Sequence, residues 1–245
     1  MRHVDIRERE NQILELVVKS YIRESRPISS SYLCDRFNLS CSTATVRNIM
    51  ESLEKKGLLS HIHTSSGRVP TKEGFKHYIE NIRDGLLKRG EPSLDVDINM
   101  AQDIEEVFDN ALDILATLTR YISLIAISGW EERFLLRGVR YIFDQPEFED
   151  INKLKALFYV LEVKIGAIQE LLFGYVDEQF KVLVGDEIGC EEISECSLVI
   201  SGFHQKKISA SLALLGPMRM DYVRAIPTLY AVRKKLEEFI IRRDF

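Results

Sequence analysis

The sequence predicts an α+β protein in two parts: an N-terminal winged helix-turn-helix, then an antiparallel sheet flanked by helices. Three observations predict it. Residues 1–84 read as three helices, two short strands and a fourth helix. Residues 85–97 (GLLKRGEPSLDVD) hold two glycines, a proline and mixed charge, the composition of a linker. Residues 98–245 alternate helical and strand-like stretches and include a long hairpin.

The first helix is expected over residues 6–25, with Ile13, Leu14, Val17, Val18 and Tyr21 at core spacing and Pro27 as its breaker. Ser29, Ser30 or Ser31 caps a second short helix that ends near Arg36, with Tyr32 and Leu33 facing inward. Asn38 makes the turn. Ser42 caps the third helix, its hydroxyl accepting from an otherwise unpaired N–H of the first turn. Val46, Ile49, Met50 and Leu53 form one apolar face. Lys55 and Lys56 suit the negative end of the helix dipole, and Gly57 stops the helix.

The opposite face of that helix presents Thr43, Ala44, Arg47, Asn48 and Glu51. Short polar groups near a helix N-terminus can approach base edges, and the N-terminus itself can face a phosphate. Arg47 suits a bidentate pair with guanine, and Asn48 one with adenine. Ser42, Thr43 and Thr45 complete this half of the candidate DNA surface. An ordinary solvated helix would also show a polar face. The two helices before it and the wing after it favour the DNA reading.

A strand is expected from residue 57 to about residue 63, with Thr64, Ser65, Ser66, Gly67 and Arg68 as the wing tip and Val69 on the return. Small residues there let backbone N–H groups approach phosphates, and Arg68 is expected to enter a narrow minor groove. His63 adds a candidate DNA contact. It alternates with His61 on one strand face, but nothing nearby completes a metal site. Pro70 at the first helical position and Thr71 near the cap open a fourth helix through Tyr78 and Ile82.

In the second part a helix is expected over residues 98–120, with Ile104, Val107, Phe108, Ala111, Leu112, Leu115 and Leu118 on its apolar side. A strand over 121–127 follows. Residues 133–143 fit either a strand or a helix. One helix is expected over 154–173 and a strand over 180–185. A hairpin joins 198–204 to 207–215 about Gln205 and Lys206. The last helix spans about residues 220–242, with Pro227 expected to kink it. This order suits a GAF-like domain, although no ligand pocket can be named from it.

Charge separates the parts. Residues 1–90 carry 16 Lys+Arg against 11 Asp+Glu, and the rest carries 17 against 27, for a net −5. The positive excess therefore falls on the part expected to meet phosphates. Cys34, Cys41, Cys190 and Cys196 form no C-x-x-C pair and read as reduced, structural thiols; the alternative is a redox pair of Cys190 with Cys196. No apolar run is long enough to span a membrane and no signal peptide is read, so a bacterial cytosolic, nucleoid-associated location is expected. No nucleophile triad signature, phosphate loop or metal-spaced cluster appears, so neither an enzyme nor a cofactor is expected. Glu147, Glu149 and Asp150 beside Pro146 read as a loop and helix cap rather than an acid–base pair.

The stretches LSCSTATVRNIMESLEKKGLL (residues 39–59) and HTSSGRVPTKEGFKHYIE (63–80) resemble the HrcA heat-inducible transcription repressors. So do YIFDQPEFEDINKLKALFYVLE (141–162) and CSLVISGFHQKKISASLALLGPMRMDYVRAIP (196–227), which look like that family's QPEF and GP-x-RMDY segments. The resemblance covers most of residues 6–127 and 134–240. It implies a repressor of chaperone genes that binds a CIRCE-type inverted repeat in double-stranded DNA as a homodimer. It further implies release by heat and a GroEL-type chaperonin as partner. Family members are longer. Between Ser128 and Phe134 they carry part of the GAF-like domain and an inserted dimerisation domain, and this chain has SGWEERF instead. That departure leaves two other readings open: a shortened regulator answering a small molecule through its GAF-like domain, and a protein-interaction module without DNA binding.

Overall fold

The computed structural model describes residues 2–62, 67–88, 104–129 and 132–242. They fall into two compact units, residues 1–85 and 86–245. The stretch expected as a linker, residues 85–97, begins inside a helix that runs to Lys88 and from residue 89 lies outside the described residues.

The first unit opens with helices α1 (Arg2–Glu24), α2 (Ser30–Phe37) and α3 (Thr43–Lys55). Strands β1 (Leu59–His61) and β2 (Arg68–Pro70) follow, then α4 (Lys72–Lys88). Ser25, at φ 52, turns the chain out of α1. Of the three candidate serines, Ser29 is the one that caps α2, accepting from Tyr32 N at 3.2 Å. Asn38 takes the left-handed conformation that ends α2. Ile13, Leu14, Val17, Val18, Leu33, Val46, Met50 and Leu53 make the core between the three helices. Across the α1–α3 contact Glu10 is nearly buried and accepts from Ser52 Oγ at 2.7 Å and Lys56 Nζ at 2.5 Å. The Lys56 ammonium and the Ser52 hydroxyl hold its carboxyl below the usual carboxylate range.

The two wing strands pair antiparallel, Leu59 with Pro70 and His61 with Arg68. A third strand position comes from between α1 and α2: Ile28 and Arg68 exchange backbone hydrogen bonds of 2.9 and 2.8 Å. Pro70 ends β2 rather than opening α4. The cap is Thr71, whose Oγ1 accepts from Gly74 N at 3.1 Å and donates to the Gly57 carbonyl at 2.5 Å. This seats the first turn of α4 directly on the chain leaving α3. A Cβ on Gly74 would lie 2.0 Å from the Leu58 carbonyl oxygen, and a backbone atom cannot swing away. Gly85 stands in the same helix with nothing within 4 Å of such a Cβ. Gly74→Ala is therefore expected to destabilise the first unit by about 1–3 kcal/mol. Gly85→Ala is expected to stabilise it by up to ~1 kcal/mol through helix propensity. Thermal melts of the two variants check both signs.

The second unit is a five-stranded antiparallel sheet in the order β4-β3-β7-β6-β5. Its strands are β3 (Ile122–Ser128), β4 (Arg133–Arg137), β5 (Lys181–Val184), β6 (Cys196–Gln205) and β7 (Ile208–Pro217). Helix α5 (Ile104–Thr119) precedes β3; the expected start of that helix, residues 98–103, lies outside the described residues. The stretch 133–143 is a strand followed by a 3-10 turn over Val139–Asp144. The hairpin turns on Lys206 and Lys207, one residue later than expected, with Lys206 at φ 56.

The expected helix over 154–173 is two helices, α6 (Ile151–Glu162) and α7 (Ile165–Phe173). A continuous helix would put Lys164 in the buried stripe with Val160 and Ile168. The break instead lets Lys164 reach Glu192 at 2.5 Å. Helix α8 (Tyr222–Arg242) closes the unit with Pro227 inside it.

Both faces of the sheet are covered. Helices α6 and α7 with the 3-10 turns lie over Ile122, Leu124, Leu198, Ile200, Ala213 and Leu215. Helices α5 and α8 pack on the other face, where Ser123 donates to the Leu112 carbonyl at 2.8 Å and Ser197 meets the Tyr222 hydroxyl at 2.7 Å. The architecture is the α+β, GAF-like arrangement expected from the element order. Among the described residues no helix is long and apolar enough to cross a membrane.

Candidate nucleic-acid interface

Helix α3 is fixed at both ends. Ser42 Oγ accepts from Thr45 N at 3.2 Å and lies 3.0 Å from Thr45 Oγ1, so the two hydroxyls hold each other and the first turn. Gly57, at φ 74, terminates it. Val46, Met50 and Leu53 are buried and Ile49 is half-buried. The opposite face carries Ala44, Arg47, Asn48 and Glu51, all exposed, with Thr43 half-buried beside them. Among the described residues, Arg47 and Asn48 make no side-chain hydrogen bond or ion pair, so both are free to engage a ligand. Holding such groups on a capped, packed helix keeps the ordering cost of binding low.

The wing differs from expectation at its inner end. His63, Thr64, Ser65 and Ser66 lie outside the described residues. Gly67 is buried, not at a tip: a Cβ there would come within 2.7 Å of the Pro27 backbone carbon. Arg68, expected to reach a minor groove, begins β2 and points inward. Its side chain is only 13% exposed, and its Nε donates to Glu54 Oε2 of α3 at 2.7 Å. Register explains this. The two backbone bonds to Ile28 fix Arg68 against the body of the unit, and the nearest acceptor for its guanidinium is the last turn of α3. In the free protein Arg68 therefore ties the wing base to the last turn of α3 through Glu54.

Arg68→Ala is expected to destabilise the first unit by about 1–2 kcal/mol, since a half-buried, charge-assisted bond is lost. Glu54→Ala is expected to do the same, and the double substitution to cost less than the two together. Equilibrium unfolding of the three variants measures the coupling. A stability-neutral Arg68→Ala with weakened binding to every DNA would restore the minor-groove role.

Elsewhere the structure brings together groups far apart in sequence. Arg219 Nε donates to Glu147 Oε1 at 2.5 Å and its Nη2 to Gln145 Oε1 at 3.3 Å, so the QPEF and GPMRMDY segments meet in one clamp. Asp221 caps α8 through Arg224 N, and Asp150 caps α6 through Asn152 N. Glu147 and Asp150 thus serve the frame.

Sequence reasoning missed one chemical constellation. Ser209 Oγ lies 2.6 Å from His204 Nδ1, and His204 Nε2 lies 2.5 Å from Asp177 Oδ1. The order is that of a nucleophile triad, but the Asp177 side chain is 85% exposed and the His204 side chain half exposed. Water screens a relay that a hydrolase keeps desolvated. Cys190 and Cys196 are both buried and free. Burial raises both thiols, Cys196 to about 12, which keeps them protonated and supports the structural reading over a redox pair. A cavity of about 200 Å³ beside α6 is lined by residues that include Phe148, Lys153, Ile193 and Cys196. Glu147 Oε2 and Glu192 Oε2 at its wall, unpartnered among the described residues, have essentially no accessible surface, so a ligand there would not reach them.

Residues 95–226 match the family model described as HrcA protein C terminal domain. A heat-inducible transcription repressor HrcA from Cyanothece sp. (strain PCC 7425) is 40% identical over 356 aligned positions, covering 96% of this chain and 98% of the relative. The one from Carboxydothermus hydrogenoformans is 24% identical over 343 positions, covering 98% of this chain and all of the relative. Both alignments are longer than the 245 residues of this chain, so the relatives carry segments without a counterpart here. A crystal structure of a hypothetical protein superposes with a TM-score of 0.80 at 19% identity, over 96% of this chain and 98% of that one, and so shares the fold.

Proposed function

The chain belongs to the HrcA family of heat-inducible transcription repressors, and on that premise we propose how it reaches its target. It is a DNA-binding repressor of heat-shock genes. In the proposed mechanism two copies bind an inverted repeat of the CIRCE type, one α3 entering the major groove of each half-site. Arg47 and Asn48 read base edges. Ser42, Thr43 and Thr45 bring the helix N-terminus to a phosphate, and residues 63–66 of the wing add backbone contacts. Arg68 and Gly67 act indirectly, by holding the wing against α3.

The observation that carries this reading is the pair of exposed side chains of Arg47 and Asn48, unpartnered among the described residues, on a helix whose own ends are satisfied. Occupancy of the operator blocks polymerase. Heat releases the repressor by shifting folded or dimeric protein to forms that do not bind; one or two kcal/mol changes the folded fraction by roughly 5–30-fold. A GroEL-type chaperonin returns the chain to the binding form. A chromosomal target suits a cytoplasmic location, and the relatives' names are those of repressors, which suits a non-enzyme.

Salt dependence tests the reading. Each phosphate contact lowers the slope of log K against log salt by about 0.9. A slope of several units is expected on the inverted repeat. A slope near zero would favour a protein-interaction module that no longer holds DNA.

A further inference from the structure

The outer face of α6 is unusually apolar. Ile151, Phe158 and Tyr159 are 55%, 38% and 45% exposed, and Val163 just past its end is 60% exposed. Phe143, 66% exposed, lies beside Phe158 with ring centroids 6.4 Å apart. Five of the eight large apolar side chains exposed among the described residues thus gather at one helix. Clustering of this kind marks an interaction surface, whereas scattered exposed apolar residues do not.

Two charges share the stripe. Lys155 and Glu162 are exposed, and neither makes an ion pair among the described residues. Residues 151, 155, 158, 159 and 162 follow helical spacing, so they form one line with the aromatic pair between the two charges. That line is complementary to itself reversed. An antiparallel copy of α6 centred between Phe158 and Tyr159 sets Lys155 opposite the second copy's Glu162, and Phe158 opposite its Tyr159. Two-fold symmetry repeats each contact. A parallel copy would instead oppose like charges.

We propose that α6 is a self-docking surface through which two copies of this chain associate, antiparallel, about a two-fold axis at Phe158 and Tyr159. The inference rests on the dimeric reading above and names its surface.

Sedimentation equilibrium of the full chain tests it, with Lys155→Glu, Glu162→Lys, the double swap, and an equimolar mixture of the two single variants. Each single substitution turns two attractive pairs into two repulsive ones and is expected to raise the dimer Kd by about tenfold. The double swap restores the pairing and is expected to return to within about threefold of wild type. The mixture of single variants restores both pairs in the heterodimer, so it is expected to dimerise better than either variant alone. A wild-type dimer indifferent to the single substitutions would overturn the surface while leaving the dimeric reading intact. Such a result would leave the α6 face to another partner. A wild-type chain that is monomeric in solution, and binds one copy per inverted repeat, would overturn the dimeric reading and this inference with it.

Discussion

Arg47→Ala and Asn48→Ala are each expected to lower the preference for the operator over random duplex by about 5- to 150-fold, the worth of one bidentate base contact. Affinity for random duplex is expected to change much less for Asn48→Ala, which removes no charge, than for Arg47→Ala. Neither substitution should alter stability by more than about 0.5 kcal/mol, because both side chains are exposed and unpartnered among the described residues. That contrast with Arg68 is the useful part. Arg68 is 13% exposed and bound to Glu54, so its loss acts through the fold. Competition anisotropy on matched and scrambled duplexes, with a thermal melt of each variant, separates the two kinds of arginine.

Arg219→Ala is expected to destabilise the second unit by about 3–5 kcal/mol, since removing one partner of a mostly buried pair leaves the other charge uncompensated. The Arg219 and Glu147 side chains are 10% and 22% exposed, and Glu147 Oε2 has no hydrogen-bond partner among the described residues. Gln145 loses a donor as well. Glu147→Gln with Arg219→Met removes both charges and is expected to recover much of the loss, because a buried pair replaced by apolar or neutral groups is often near neutral. Chemical denaturation resolves the two cases. A single Arg219→Ala within 1 kcal/mol of wild type would show that the clamp between the two segments contributes little.

The recognition helix was legible because every signal for it is local. A serine cap, four apolar residues at helical spacing and a terminal glycine lie within sixteen residues, and the structure uses each of them. The winged order and the hairpin were legible for the same reason. Arg68 was not, because its role depends on two partners outside its own segment: the Ile28 bridge and Glu54. A basic residue after a run of small ones reads as a wing tip unless the register is known. The break between α6 and α7 left a trace, Lys164 at a core position, that periodicity over the whole stretch outweighed. The clamp of Arg219 on Gln145 and Glu147 joins segments more than seventy residues apart. Both segments could be recognised, but nothing local indicates that they touch. Asp177 likewise reaches His204 only through the fold.

On the proposed mechanism this chain discriminates an inverted-repeat operator through α3. Fluorescence anisotropy of a CIRCE-type repeat against a scrambled duplex, at about 0.15 M salt and before and after mild heating, tests it most directly. A preference for the repeat of roughly a thousandfold, lost on heating, is expected. Equal affinity for the two duplexes at the lower temperature would contradict it.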